Sequence, residues 1–114
     1  MSEQSAREML ANINLQEGSG YAGKGRHQKA LKKYDKAIYL CPEMATAWFL
    51  KGHALCNLER FQEAYECLEK ALTLEPDYAI ALCYKGIALR ALGYEDEGVE
   101  CLVKAKQLGF VYPR

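Results

Sequence analysis

An excess of charge of one sign is missing from this 114-residue sequence: 15 Lys and Arg stand against 15 Asp and Glu. A dedicated nucleic-acid binder is usually strongly basic, so the balance argues against that class, and no nucleic-acid partner is expected. Also absent is any apolar run approaching the roughly 20 residues of a bilayer span, and no membrane partner is expected. The start, from Met1 to Glu8, is polar and carries no secretory h-region. Five cysteines, at 41, 56, 67, 83 and 101, include no Cys-x-x-Cys pair, and neither His27 nor His53 flanks a cysteine pair. Their separations match no metal-ligand spacing, so no metal and no cofactor is expected. Reduced thiols filling small apolar positions in a cytoplasmic protein account for them.

What the sequence does have is a period. The stretch Ala45–Tyr78 matches the following stretch, Ala79–Tyr112, at 15 of 34 positions, among them Lys51/Lys85, Gly52/Gly86, Cys67/Cys101 and Ala71/Ala105. The preceding stretch, Ala11–Met44, matches it at 9, including Gly18/Gly52, Ala30/Ala64, Ala37/Ala71 and Pro42/Pro76. About two identities per comparison would arise by chance. Neither alignment needs a gap. A fixed period of this size means stacked units, none of which can bury its apolar face alone.

Each unit divides into two helical halves. Ala45–Leu58 places Ala47, Trp48, Phe49, Leu50, Ala54, Leu55 and Leu58 at helical spacing, too densely for one face, as in a helix packed on two sides. After a tight turn at Glu59-Arg60, Phe61–Leu74 carries Phe61, Ala64, Tyr65, Leu68, Ala71 and Leu72 at i, i+3 and i+4 steps. Pro76 cannot continue that helix, and Asp77 is expected to cap the next one. Glycine costs about 1 kcal/mol against alanine inside a helix. Its recurrence at Gly18, Gly52 and Gly86 therefore predicts places where two backbones come close.

A 34-residue helix–turn–helix unit with Trp48, Lys51-Gly52, Leu55, Leu58, Ala64, Leu68, Ala71 and Pro76 resembles the tetratricopeptide repeat (TPR). Gly25 and Gly93 fit the family's turn glycine. The resemblance implies an all-α fold, an α-solenoid or right-handed superhelix of three units. Residues 1–10 are expected to extend the first helix, followed by a divergent, glycine-rich first repeat at 11–44. The second and third repeats fall at 45–78 and 79–112, and 113–114 form a tail. Two departures stand out. Asn14 replaces Trp48 in the first copy, and its extra glycines at 20 and 23 predict a marginal helix, frayed or remodelled over Gly18–Gly25. Gly109-Phe110 replaces Glu75-Pro76 in the third. No polar solvating helix follows that repeat within the sequence, so Phe110, Val111 and Tyr112 are expected to fold back as a partial lid.

The segment Gly18-Ser-Gly20-Tyr-Ala-Gly23-Lys24-Gly25 formally satisfies two phosphate-loop patterns. A phosphate loop needs a strand before it, a helix after it and a Ser or Thr behind the lysine, where Gly25 stands. A glycine-loosened repeat helix is the better reading. His27 and His53 have no Ser, Cys or carboxylate at catalytic spacing, and no enzymatic activity is expected.

The resemblance also implies a function: a non-catalytic scaffold or adaptor whose concave face, lined by the first helices, holds a peptide or amphipathic helix of a partner protein. Carried across by position, the groove residues are Asn12, Leu15 and Ser19, then Thr46, Phe49, His53, Cys56 and Asn57, then Ile80, Cys83, Ile87 and Arg90. Several of these side chains could equally contact only one another. The Lys, Asn and Arg clamp that some members use for chaperone C-terminal carboxylates is missing, since Leu15, Ser19, Leu50, Ile80 and Tyr84 stand there. An apolar segment is the expected ligand.

An alternative is self-assembly through the uncapped last repeat, with Val99, Leu102 and Phe110 as contacts and a homo-oligomer as product. Charge is uneven in the direction this needs. Residues 1–36 hold 7 basic and 4 acidic side chains, and residues 37–114 hold 8 and 11. Head-to-tail contact would bring the basic start of one chain to the acidic end of another.

Overall fold

A computed structural model describes residues 2–110. Six helices follow in order: α1 (Glu3–Gly23), α2 (His27–Leu40), α3 (Ala45–Asn57), α4 (Phe61–Leu74), α5 (Ala79–Ala91) and α6 (Glu95–Gln107). No strand occurs among the described residues. Each helix packs on its chain neighbours, and α3 also reaches α1 and α5. Short connections force neighbouring helices to run antiparallel, so three pairs stack along one axis. The result is an all-α solenoid measuring 46 × 27 × 24 Å.

Small residues set the spacing within a pair. Ala30, Ala37, Ala64 and Ala71 are fully buried, as are Ala47 and Ala81 in the first helices. A Cβ placed on Gly52 would lie 2.8 Å from Leu68 Cγ and 3.4 Å from the Ala64 carbonyl oxygen. One on Gly86 would lie 2.7 Å from the Gly98 carbonyl oxygen. The close approach predicted from the recurring glycines is therefore present. Around it Tyr34, Leu55 and Leu68 fill the interior.

Pairs are joined through a repeating seam. Lys51 on α3 reaches back to Asp35 on α2 at 2.8 Å, and one period later Lys85 on α5 reaches Glu69 on α4. Burial alone would lower the Lys51 pKa, but the hydrogen bond and charge of Asp35 outweigh it and hold the ammonium on. The Trp48 indole donates to the Pro42 carbonyl at 2.7 Å, fastening α3 to the preceding loop. Asn14, its counterpart in α1, donates to its own helix at the Leu10 carbonyl.

Four helices end in the same backbone device. The amides of Arg26, Arg60, Tyr94 and Phe110 donate to the carbonyls of Tyr21, Leu55, Leu89 and Ala105. This six-to-one closure needs a left-handed residue just past the helix. Gly25, Gly93 and Gly109 supply it, and in the second repeat Glu59 is forced into it at φ 58°.

Two local expectations need correction. Helix α1 does not break over its glycines: it runs unbroken to Gly23, and the chain turns only at Lys24-Gly25. Packing on α2 overrides propensity there, with Gly18 seated against Tyr34 and Lys29 lying over the Tyr21 ring. Asp77 does not cap α5. The N-cap is Tyr78, with no side-chain cap bond.

Candidate functional site

The first helices place four rings side by side. Phe49 and His53, one turn apart on α3, stack at 5.9 Å between centroids and 12° between planes. Tyr84 of α5 meets both, edge-on to His53 at 4.7 Å and to Phe49 at 5.8 Å. Tyr78, just before α5, closes on Phe49 at 5.4 Å, and its hydroxyl bonds to Thr46. Edge-to-face and offset contacts of this kind add about 0.5–1.5 kcal/mol per pair beyond burial, so the rings form a stiff floor.

Burial decides what that floor can offer a ligand. Cys83 is 1% exposed, while Leu15 and Phe49 are each 7% exposed and Cys56 is 9%. These four are core. They present almost no surface. His53, Tyr84, Ile80 and Ile87 are half-buried, while Asn12, Ser19, Thr46, Asn57 and Arg90 are exposed. Arg90 donates from Nε to Glu95 at 2.9 Å, so its charge is engaged within the chain. The accessible set is thus aromatic and aliphatic with a neutral polar margin.

Electrostatics agree with that description. Burial pushes the His53 pKa down, and nearby His27 lowers it further, so the imidazole is neutral at physiological pH. Burial pushes the Cys56 and Cys67 thiols up to about 11. All five cysteines are free, and none has the depressed pKa of a nucleophile. Among the described residues no group of three or more His, Cys, Asp or Glu side chains could hold a metal ion. Nor is any helix there long and apolar enough to cross a membrane.

Tyr78 and Tyr84 stand outside the twelve groove residues expected by position, yet they supply half of the ring cluster. Their signal was available: aromatic residues flank the start of α5 where its period-mates Met44 and Leu50 are aliphatic. For self-association, Leu102 and Phe110 are half-buried against Leu82, Cys83 and Ala105, so Phe110 does cover part of the last repeat. Val99 remains 43% exposed. Val111 and Tyr112, the rest of the expected lid, lie outside the described residues.

Known proteins show the same architecture. Residues 45–78 match the family model of the tetratricopeptide repeat. The second TPR domain of Spaghetti (RPAP3), bound to an HSP90 peptide SRMEEVD, is 21% identical at a TM-score of 0.89, covering 92% of this chain and 96% of that one. The Arabidopsis OM64 TPR domain is 22% identical at a TM-score of 0.88, covering 90% and 85%. The TPR2B domain of yeast Sti1, in complex with pHsp70, is 29% identical at a TM-score of 0.84, covering 88% and 80%. No curated protein sequence is significantly similar. The period, the paired helices and the matched repeat agree: residues 45–78 match a tetratricopeptide repeat, and the chain shares the fold of TPR domains.

Proposed function

We infer that the protein is a non-catalytic interaction module, a scaffold or adaptor that holds an apolar or amphipathic helical segment of a partner protein against the first helices. The observation that carries this reading is the ring cluster of Phe49, His53, Tyr78 and Tyr84, rigid below and half-open above. Such a surface rewards aliphatic and aromatic anchors spaced at i, i+3 and i+4. Yeast Sti1, 29% identical in its TPR2B domain, is solved in complex with pHsp70, which supports a protein partner. The chemistry of that partner differs here. A carboxylate-terminated tail needs cationic donors, and Leu15, Ser19, Leu50, Ile80 and Tyr84 offer none. Buried, protonated thiols suit a reducing, cytoplasmic setting.

Selection from a displayed peptide library tests this. Enriched sequences should carry apolar residues at helical spacing, and the paired substitution Ile80→Glu with Ile87→Glu should abolish their binding while helicity is kept. SRMEEVD should not compete. Enrichment of acidic C-terminal tails, or binding indifferent to the paired substitution, overturns the reading.

A further inference from the structure

Among the described residues the repeating seam stops at two ends. Lys51 meets Asp35 and Lys85 meets Glu69, always the same position of a first helix against the same position of the preceding second helix. One period before Lys51 stands Glu17 on α1, and one period after Glu69 stands Val103 on α6. At neither end is the pattern of a seam residue kept. Glu17 is neutralised by Lys33 of its own repeat at 3.2 Å. Val103 has no charge to satisfy and is 49% exposed. Both ends are therefore prepared to meet something other than a lysine–carboxylate pair.

Apolar surface gathers at the same two places. On α1, Met9, Ile13, Glu17, Gly20 and Lys24 fall at three- and four-residue steps along one stripe. Met9, Leu10 and Ile13 on that side are 44–49% exposed. On α6, Val99 lies one turn before Val103 and is similarly exposed. Charge is complementary as well. The α1 end carries Lys24, Arg26 and Lys29, and the start of α6 carries Glu95, Asp96 and Glu97.

We propose that the α6 end of one copy docks on the α1 end of a second copy, continuing the solenoid across the molecular boundary in its own register. The antiparallel seam fixes who meets whom. With Val103 opposite Glu17, Val99 falls opposite Tyr21 and Asp96 opposite Lys24. Val99 thus faces an aromatic ring, Val103 faces a Glu17 whose charge Lys33 already holds, and the acidic start of α6 meets the basic turn after α1. The contact is heterologous, so it propagates and does not close on a twofold axis. It uses the end faces and leaves the ring cluster open, so it stands apart from the groove reading.

Sedimentation over a wide concentration range tests it, with circular dichroism confirming helicity of each variant. Wild type should gain mass continuously past the dimer, and less so in high salt. Ile13→Glu and Val103→Glu should each remain monomeric alone. Mixed, they should form a one-to-one dimer, because each retains one intact end. Lys24→Glu should weaken association at least several-fold, and adding Asp96→Lys in the same chain should restore it. A wild type monomeric throughout overturns the proposal. So does a closed dimer that Val103→Glu abolishes and Ile13→Glu leaves intact, since that contact would be α6 on α6.

Discussion

The first and second repeats share 9 of 34 residues, yet both fold as a pair of helices. What they hold in common is the close approach. Gly18 and Gly52 sit at the same position, one against Tyr34 and the other against Leu68. What they do not share is the anchor, the turn and the groove. The second repeat has Trp48 bonded to Pro42, the first has Asn14 bonded within its own helix. The second turns at a strained Glu59, the first at Gly25. Phe49 and His53 build the ring cluster where the first repeat has Leu15 and Ser19. Steric necessity at the helix crossing is thus separable from the residues that link repeats and line the proposed groove.

The largest effect should come from attacking the shared feature. Gly52→Leu drives a side chain into Leu68 and the Ala64 carbonyl and should destabilise by about 3 kcal/mol in denaturant unfolding. Gly20, with open space around its Cβ, should accept leucine without loss. Next comes Trp48→Asn, which gives the second repeat the first one's anchor. Losing a half-buried indole and its hydrogen bond should cost about 2 kcal/mol.

Alkaline pH probes another contrast, since the second repeat has Cys56 and Cys67 where the first has Ala22 and Lys33. Folding raises both thiol pKa values from 9.0 to about 11. The unfolded chain therefore loses those protons first, and their contribution, whole below pH 9, is lost as pH rises through about 11. Unfolding midpoints measured from pH 8 to 11 should fall, and Cys56→Ala with Cys67→Ala should flatten the decline.

Two changes should stabilise. Gly20→Ala, in a helix interior with no neighbour within 4 Å, should add about 1 kcal/mol. Glu59→Gly, giving the second turn the residue the first already has, should add about 0.5 kcal/mol by relieving its φ of 58°. A loss of stability in either variant would mean that the two repeats differ for reasons other than propensity and strain.

Much of the fold was legible because the period constrains many residues at once. Gly52 and Ala64 announced the crossing, and Gly25 and Gly93 announced the turns. The turn at Glu59-Arg60 was legible too, but its left-handed backbone was not, because nothing in a glutamate signals one; only alignment with its two glycine period-mates exposes it. The persistence of α1 through Gly18, Gly20 and Gly23 was hidden for a related reason, since intrinsic propensity omits the support of Tyr34 and Lys29 on α2. The face lined by the first helices was legible by position, and the depth of its side chains was not. Cys83 and His53 both belong to first helices, but side-chain burial depends on neighbours a period away, and one became core while the other stayed half-open. Tyr84 joined the floor because α5 packs beside α3, a contact no local pattern encodes.

Where a partner segment lands decides the proposed function. Titrating isotopically labelled protein with a library-selected helical peptide and following amide and side-chain NMR shifts reads this directly. Shifts concentrated at Thr46, His53, Tyr84 and Ile87, with a ring-current change at the His53 imidazole, are the predicted result. Shifts confined to the second helices α2, α4 and α6, with His53 and Tyr84 unmoved, would contradict it.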